Sequence, residues 1–183
     1  MRLVILDRDG VINYDAEDFI TAPEQWVPIP GSLEAIARLR DASYKVAVAT
    51  NQSGVARGLM SMDTLARIHA RMLDAVRAKG GAIDAICVCP HGPDDGCQCR
   101  KPAPGLLNEI AARFETDLRG VYAVGDTERD IVAARCAHAS PVLVRTGKGM
   151  QTLSQSTALD GVPVFDDLAA FVTALLAGEL ATC

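Results

Sequence analysis

Short runs of consecutive apolar residues alternate along this chain with longer stretches in which apolar positions return every three or four residues. A brief apolar run suits a strand buried on both faces, and the wider spacing suits a helix with one buried stripe. The first pattern predicts strands over residues 3–7, 44–50, 83–89, 121–125, 141–145 and 162–165. The second predicts helices over 31–42, 61–79, 105–114, 130–137 and 168–180, with Ser32 placed to cap the first. Leu65, Ile68, Met72 and Val76 fall at i, i+3, i+7 and i+11 of the longest helix, a packing stripe closed by Gly80 and Gly81. Strands alternating with helices across short connections argue for an α/β domain with a parallel sheet covered on both faces. In such a sheet ligands bind beyond the carboxyl ends of the strands, so the polar residues just after each apolar run carry the candidate chemistry.

Charge narrows the partners. The 183 residues hold 18 Lys+Arg against 23 Asp+Glu, a formal charge of −5, with no basic run. That field repels polyanions and anionic membranes, so neither nucleic acid nor a membrane is the expected partner, while a small phosphorylated metabolite fits. The first apolar run is too short for an export signal, and no segment is long and apolar enough to span a bilayer. The expectation is a cytoplasmic protein of one domain, acting as a monomer.

Asp7-Arg8-Asp9-Gly10 puts two carboxylates at i and i+2 after the first strand, on one side of the chain if the extended conformation persists. Asp126 and Asp130 follow another strand, and acids converging on one crevice repel unless a hard divalent cation such as Mg²⁺ sits among them. The less favoured reading of Asp130 is a charge satisfying a helix N-terminus. Thr50-Asn51-Gln52-Ser53-Gly54 offers a hydroxyl, amides and backbone N–H groups to phosphoryl oxygens, or else is a polar turn. Arg100 and Lys101 supply cations opposite the acids.

Cys89, His91, Cys97 and Cys99 form two arms, each with ligands at i and i+2, and three thiolates with one imidazole suit tetrahedral Zn²⁺. With all four positions filled by protein the zinc is structural. Because Arg100 directly follows Cys99, the loop fixes how Arg100 and Lys101 enter the crevice. Cys87 reads as a packed thiol, Cys136 as helix packing, His69 and His138 as core or surface residues, and Cys183 as part of the terminus.

Asp7-Arg-Asp9-Gly, Thr50-Asn-Gln, Lys101-Pro and Gly-Asp126 with Asp130 four residues on resemble, in order, the four motifs of the haloacid dehalogenase-like (HAD-like) phosphohydrolase superfamily. The resemblance implies a doubly wound, Rossmann-like parallel sheet over residues 1–183, with a zinc loop at 89–99 and no separate cap domain. It implies that Asp7 is the nucleophile, forming an aspartyl phosphate, and that Asp9 is the general acid and base. Related transporters carry Thr in place of Asp9, so the carboxylate points to hydrolysis. Thr50 and Lys101 would hold the phosphoryl oxygens, and Mg²⁺ would sit on Asp7, the Asp9 carbonyl and Asp126, with Asp130 in support.

The zinc arrangement resembles two groups within the superfamily, one acting on a heptose bisphosphate and one on histidinol phosphate. Residues 7–13, 50–58 and 143–149 favour the first, whose members remove the C7 phosphate and feed ADP-heptose synthesis for the lipopolysaccharide inner core. The short spacer between His91 and Cys97 is that of the second. By the same resemblance Asp15, Asp18, Asn51, Gln52, Ser53 and Arg100 contact the sugar or its distal phosphate, while Thr127 stands where some relatives place Lys. Two readings from other classes are a phosphoacceptor switch domain, which the proton-transferring Asp9 disfavours, and a polynucleotide phosphatase, which the acidic charge disfavours.

Overall fold

Residues 1–16 and 19–180 are described by the computed structural model. Six strands, β1 (Arg2–Leu6), β2 (Tyr44–Asn51), β3 (Ala85–Cys89), β4 (Tyr122–Gly125), β5 (Ser140–Val144) and β6 (Val164–Phe165), form one parallel sheet in the order β3-β2-β1-β4-β5-β6. The chain winds outward from β1 to β3, then returns to the other side of β1 and winds outward to β6, which makes the sheet doubly wound. No separate cap is built from the described residues.

The strands have few polar residues because both faces are covered. Val4, Leu6, Val46, Val48, Val124 and Val142 pack toward α1 (Ser32–Asp41), α2 (Met62–Ala78) and α6 (Leu168–Ala177). Leu3, Ile5, Ala47, Ala49 and Ala123 face α3 (Gly105–Arg113) and α4 (Glu128–Cys136). The predicted stripe on α2 is buried throughout, and each such side chain contributes roughly 1.5–3 kcal/mol by leaving water. Phe171 of α6 closes one end of the core edge-to-face against Tyr122 and Phe165.

Helix boundaries follow capping chemistry more than apolar spacing. Ser61 caps α2 by accepting from the Thr64 N–H, and Asp167 caps α6 by accepting from that of Ala170. Gly178 at φ 74° ends α6 at Ala177, short of the predicted residue 180. Ser32 is not a cap: Gly31 takes that position, and the Ser32 hydroxyl instead donates to the Val11 carbonyl, tying α1 to the loop after β1. α4 begins at Glu128, ahead of the predicted start at 130. A further helix, α5 (Gly149–Gln155), has no counterpart in the apolar pattern, because Met150 and Leu153 are exposed. Cys136 is exposed at the end of α4 rather than packed; Cys87 and His69 are buried. Cys183 lies outside the described residues.

Candidate active site

Register sets the site. Leu6 pairs with Val48 on one side and Val124 on the other, so β1 and β4 end within one residue of each other while β2 runs three residues further, to Asn51. Asp7 is the first residue beyond β1, anchored by its N–H to the Val124 carbonyl, at the point where the winding reverses. A cavity of about 300 Å³ opens there, lined by Asp7, Asp9, Asp126 and Asp130, and by Lys101, Arg57, Arg100, Arg129 and Lys148.

On one side stands Lys101. Its buried Nζ lies 3.1 Å from Asp7 Oδ1 and 2.6 Å from Asp130 Oδ1, and donates to the Ala49 carbonyl at 2.8 Å. Burial alone would strip its proton, but Asp130 and Asp7 hold its pKa above the ordinary lysine value. Asn51 clasps the Lys101 backbone with both ends of its amide, Oδ1 accepting from the N–H and Nδ2 donating to the carbonyl. Asp130 is both helix charge and site residue: its Oδ2 accepts from the Thr127 N–H and hydroxyl, which directs Oδ1 to Lys101. Against the cost of burial, Lys101 and Thr127 keep its pKa low.

Asp7, Asp126 and Asp130 each place a carboxylate oxygen within 4.8 Å of the others. Burial pushes Asp7 well above the carboxylate range, opposed by Lys101 and reinforced by Asp130, Asp126 and Asp9. Burial and Asp130 push Asp126 up to about 7. This excess of negative charge, around oxygen ligands, is what a hard dication would relieve. The backbone closes tightly on the cluster: a Cβ on Gly10 or on Gly147, both at positive φ, would lie 2.2 Å from Asp126 Oδ2.

Asp9 has different neighbours. The extended conformation ends at Leu6 and the chain bends at Arg8, so Asp9 turns toward Arg8 although both carboxylates still line the cavity. Arg8 Nε and Nη2 grip the Asp9 carboxylate at 2.9–3.0 Å, while Asn13 Nδ2 and Gln52 Nε2 each donate to it at 2.8 Å. Burial would raise the Asp9 pKa, yet Arg8, Asn13 and Gln52 together hold it below the ordinary range. Gln52 also donates to the Thr50 hydroxyl, which is buried beside the cavity without lining it.

Of the residues expected at the substrate, Asp15, Asn51, Gln52, Ser53 and Arg100 line the cavity, and Asp18 lies outside the described residues. Asp15 pairs with Lys148 at 2.7 Å. Arg8, Asn13, Arg57, Arg129 and Lys148 are site residues that the motif reading did not single out. Parity offered one signal: a residue between two aspartates on one side of a strand faces the opposite layer, and Arg8 reaches α2 there.

The Cys/His loop closes on itself. Cys89 Sγ lies 3.7 Å from Cys97 Sγ and 3.2 Å from Cys99 Sγ, and His91 Nδ1 lies 3.6 and 3.2 Å from Cys89 and Cys99. A tetrahedral zinc with bonds of about 2.3 Å has S···S edges of about 3.8 Å, whereas a disulfide needs about 2.05 Å, so the four residues fit a metal. Cys87 stands outside this cluster. Arg100 Nη1 donates to the His91 carbonyl, joining the loop to the cavity wall.

A buried lysine between two aspartates, set where a doubly wound sheet reverses, is an arrangement suited to a carboxylate approaching an anion, and points to a HAD-like hydrolase. Residues 98–171 match the HAD-hydrolase-like family profile. The chain is 53% identical over 176 residues to the D-glycero-beta-D-manno-heptose-1,7-bisphosphate 7-phosphatase of Bordetella bronchiseptica, covering 96% of this chain and 98% of that one. It is also 53% identical to the Pseudomonas aeruginosa enzyme of that name, over 95% and 97% of the two chains. The crystal structure of the B. bronchiseptica D,D-heptose 1,7-bisphosphate phosphatase, complexed with magnesium and phosphate, superposes with a TM-score of 0.95 over 97% of this chain and 99% of that one, at 53% identity. The Burkholderia thailandensis phosphatase gives 0.78 at 44% identity, over 97% and 99%. The chain therefore belongs to the heptose 1,7-bisphosphate 7-phosphatase family of HAD-like hydrolases.

Proposed function

We propose that this chain hydrolyses the C7 phosphate of D-glycero-D-manno-heptose 1,7-bisphosphate, in the β configuration carried by its relatives' names, and so serves ADP-heptose synthesis for the lipopolysaccharide core. The contact that carries the reading is Lys101 Nζ against Asp7 and Asp130, in a cavity that Asp9 also lines. Arg57, Arg100, Arg129 and Lys148 add positive charge along the same wall, which suits a substrate with a second phosphate.

In the first step Asp7 forms a bond to phosphorus as the bond from phosphorus to the sugar oxygen breaks, and Asp9 delivers its proton to that oxygen. In the second, Asp9 takes a proton from water, whose oxygen attacks phosphorus and frees Asp7. Arg8, Asn13 and Gln52 favour the ionised Asp9 that takes the proton from water in the second step, and the anionic phosphoryl group arriving beside it raises its proton affinity so that it carries the proton needed in the first. Lys101 holds phosphoryl oxygens, with Thr50, which the motif resemblance adds, just behind the cavity wall. Mg²⁺ on Asp7, Asp126 and the Asp9 carbonyl, with Asp130 in support, would neutralise charge between nucleophile and phosphoryl group. Zn²⁺ on Cys89, His91, Cys97 and Cys99 would fix the loop that carries Arg100 and Lys101. Asp15, Asn51, Gln52 and Ser53 line the wall that meets the sugar, Asn51 and Gln52 with amides already engaged by Lys101 and Asp9.

Phosphate release from the two heptose bisphosphate anomers and from histidinol phosphate, compared by kcat/KM, tests the assignment. The β anomer is expected to lead by at least about tenfold, a margin of the size one well-placed contact gives. Equal or faster release from histidinol phosphate would overturn it. The reading also takes residues 1–183 as one domain working as a cytoplasmic monomer, which sedimentation velocity and cell fractionation check.

A further inference from the structure

Behind Asp9 lies a second layer that the four motifs do not include. Arg8 is 1% exposed and His69, on α2, is 9% exposed. Arg8 Nη1 lies 3.2 Å from His69 Nε2. A guanidinium only donates, so Nε2 carries the lone pair and the ring proton sits on Nδ1. Burial first, then the Arg8 charge, push the His69 pKa down to about 4, which keeps the ring neutral and able to accept. With Nη1 held by His69, the remaining edge of the guanidinium, Nε and Nη2, meets the Asp9 carboxylate.

We propose that His69 is a positioning residue for the hydrolytic reaction: by fixing the Arg8 guanidinium, it holds the Asp9 carboxyl group where it exchanges protons with the leaving oxygen and with water. The inference rests on the functional reading above. A guanidinium and a carboxylate could be replaced at lower desolvation cost by apolar side chains if the contact served packing alone. The ion pair instead lies in the lining of the cavity, next to Asp7 in the chain, with the buried end of the guanidinium tied to α2. His69 occupies position i+4 from Leu65 on the buried face of α2, so the helix that builds the core also fixes the imidazole.

The test uses leaving groups of different need. A sugar oxygen must be protonated as its bond to phosphorus breaks, whereas p-nitrophenolate departs without a proton. In the magnesium-loaded full chain, His69→Leu is expected to lower kcat on heptose bisphosphate by about 10- to 100-fold, with KM changed less than about twofold. In the burst of p-nitrophenolate released from p-nitrophenyl phosphate, which reports formation of the aspartyl phosphate alone, the same variant should lose less than about threefold. His69→Gln, whose amide oxygen can accept from Arg8, should recover most of the sugar phosphate rate, and it keeps the test open if His69→Leu does not fold. Equal losses on both substrates in His69→Leu, or no loss at all, would reduce His69 to a packing residue. If His69→Leu does not fold, a His69→Gln rate on the sugar phosphate as low as that of Asp9→Asn overturns the relay. If the wild-type chain releases no phosphate from heptose bisphosphate, the functional reading falls and the relay with it; if it does and the substrate ratio stays flat, the relay alone falls.

Discussion

The two candidate metal clusters are built in opposite ways. The Cys/His cluster takes all its ligands from residues 89–99, and it closes within one loop after β3. The acid cluster draws Asp7 from the end of β1, and Asp126 and Asp130 from beyond β4, positions separated by more than half the chain. The first is held by local geometry, and a metal there would bear on the cavity through Arg100 and Lys101. The second exists only once β1 and β4 pair, and its excess charge faces the cavity directly. In the proposed reaction, then, a single loop would serve as support while the strand ends would supply the reacting groups.

The strongest way to sharpen that contrast is Asp7→Asn. The amide cannot attack phosphorus as a carboxylate does, so turnover is expected to fall by roughly 10⁴-fold or more, with the melting temperature at or above the wild-type value because one member of a repelling acid cluster is neutralised. Residual hydrolysis within tenfold of wild type would remove Asp7 as nucleophile. Lys101→Met comes next. It leaves Asp7 and Asp130 facing each other without the intervening ammonium, and kcat/KM should drop by about 10²- to 10³-fold, in line with loss of one charge-stabilising donor.

Zinc removal separates the two clusters. Stripping the loop metal, verified by elemental analysis, should lower kcat by about tenfold or more through misplacement of Arg100 and Lys101, and speed amide exchange over residues 89–105. Magnesium affinity should change by less than about twofold, since Asp7 and Asp126 belong to other elements. An unchanged rate in zinc-free protein would show that the loop does not set the cation geometry.

The smallest effect concerns pH. His69 has a folded pKa of about 4 against an ordinary 6.5, so between those values the unfolded chain binds more protons than the folded one. Stability therefore rises with pH through that window and falls as the solution is acidified from 6.5 toward 4. His69→Gln should remove that part of the slope in denaturant titrations at a series of pH values. An identical slope in both proteins would place the acid sensitivity elsewhere.

Several elements were legible because their signals are local. The α2 stripe, the apolar strands and the paired Cys-x-His and Cys-x-Cys arms each lie within one periodic segment or one short loop, where spacing alone implies geometry. α5 was not legible, because its seven residues bury only Gly149 and Thr152 and so show no apolar period. Ser32 misled as a cap because a hydroxyl before an apolar stripe satisfies the local rule, while the Val11 carbonyl that claims it is 21 residues away.

The amino-acid order by itself determined the alternation of strand and helix, the acidic net charge, the Cys/His cluster, and the presence of Asp7, Asp9, Lys101, Asp126 and Asp130 at strand ends, where they line one cavity. Only the tertiary structure decided their surroundings: Lys101 between Asp7 and Asp130, Asn51 bonded to the Lys101 backbone, and Asp9 enclosed by Arg8, Asn13 and Gln52 with His69 behind. The reason is physical. Periodicity reports which face of an element avoids water, but the proton affinity of a carboxyl group depends on charges a few ångströms away, and those neighbours are brought together by strand pairing across long stretches of chain.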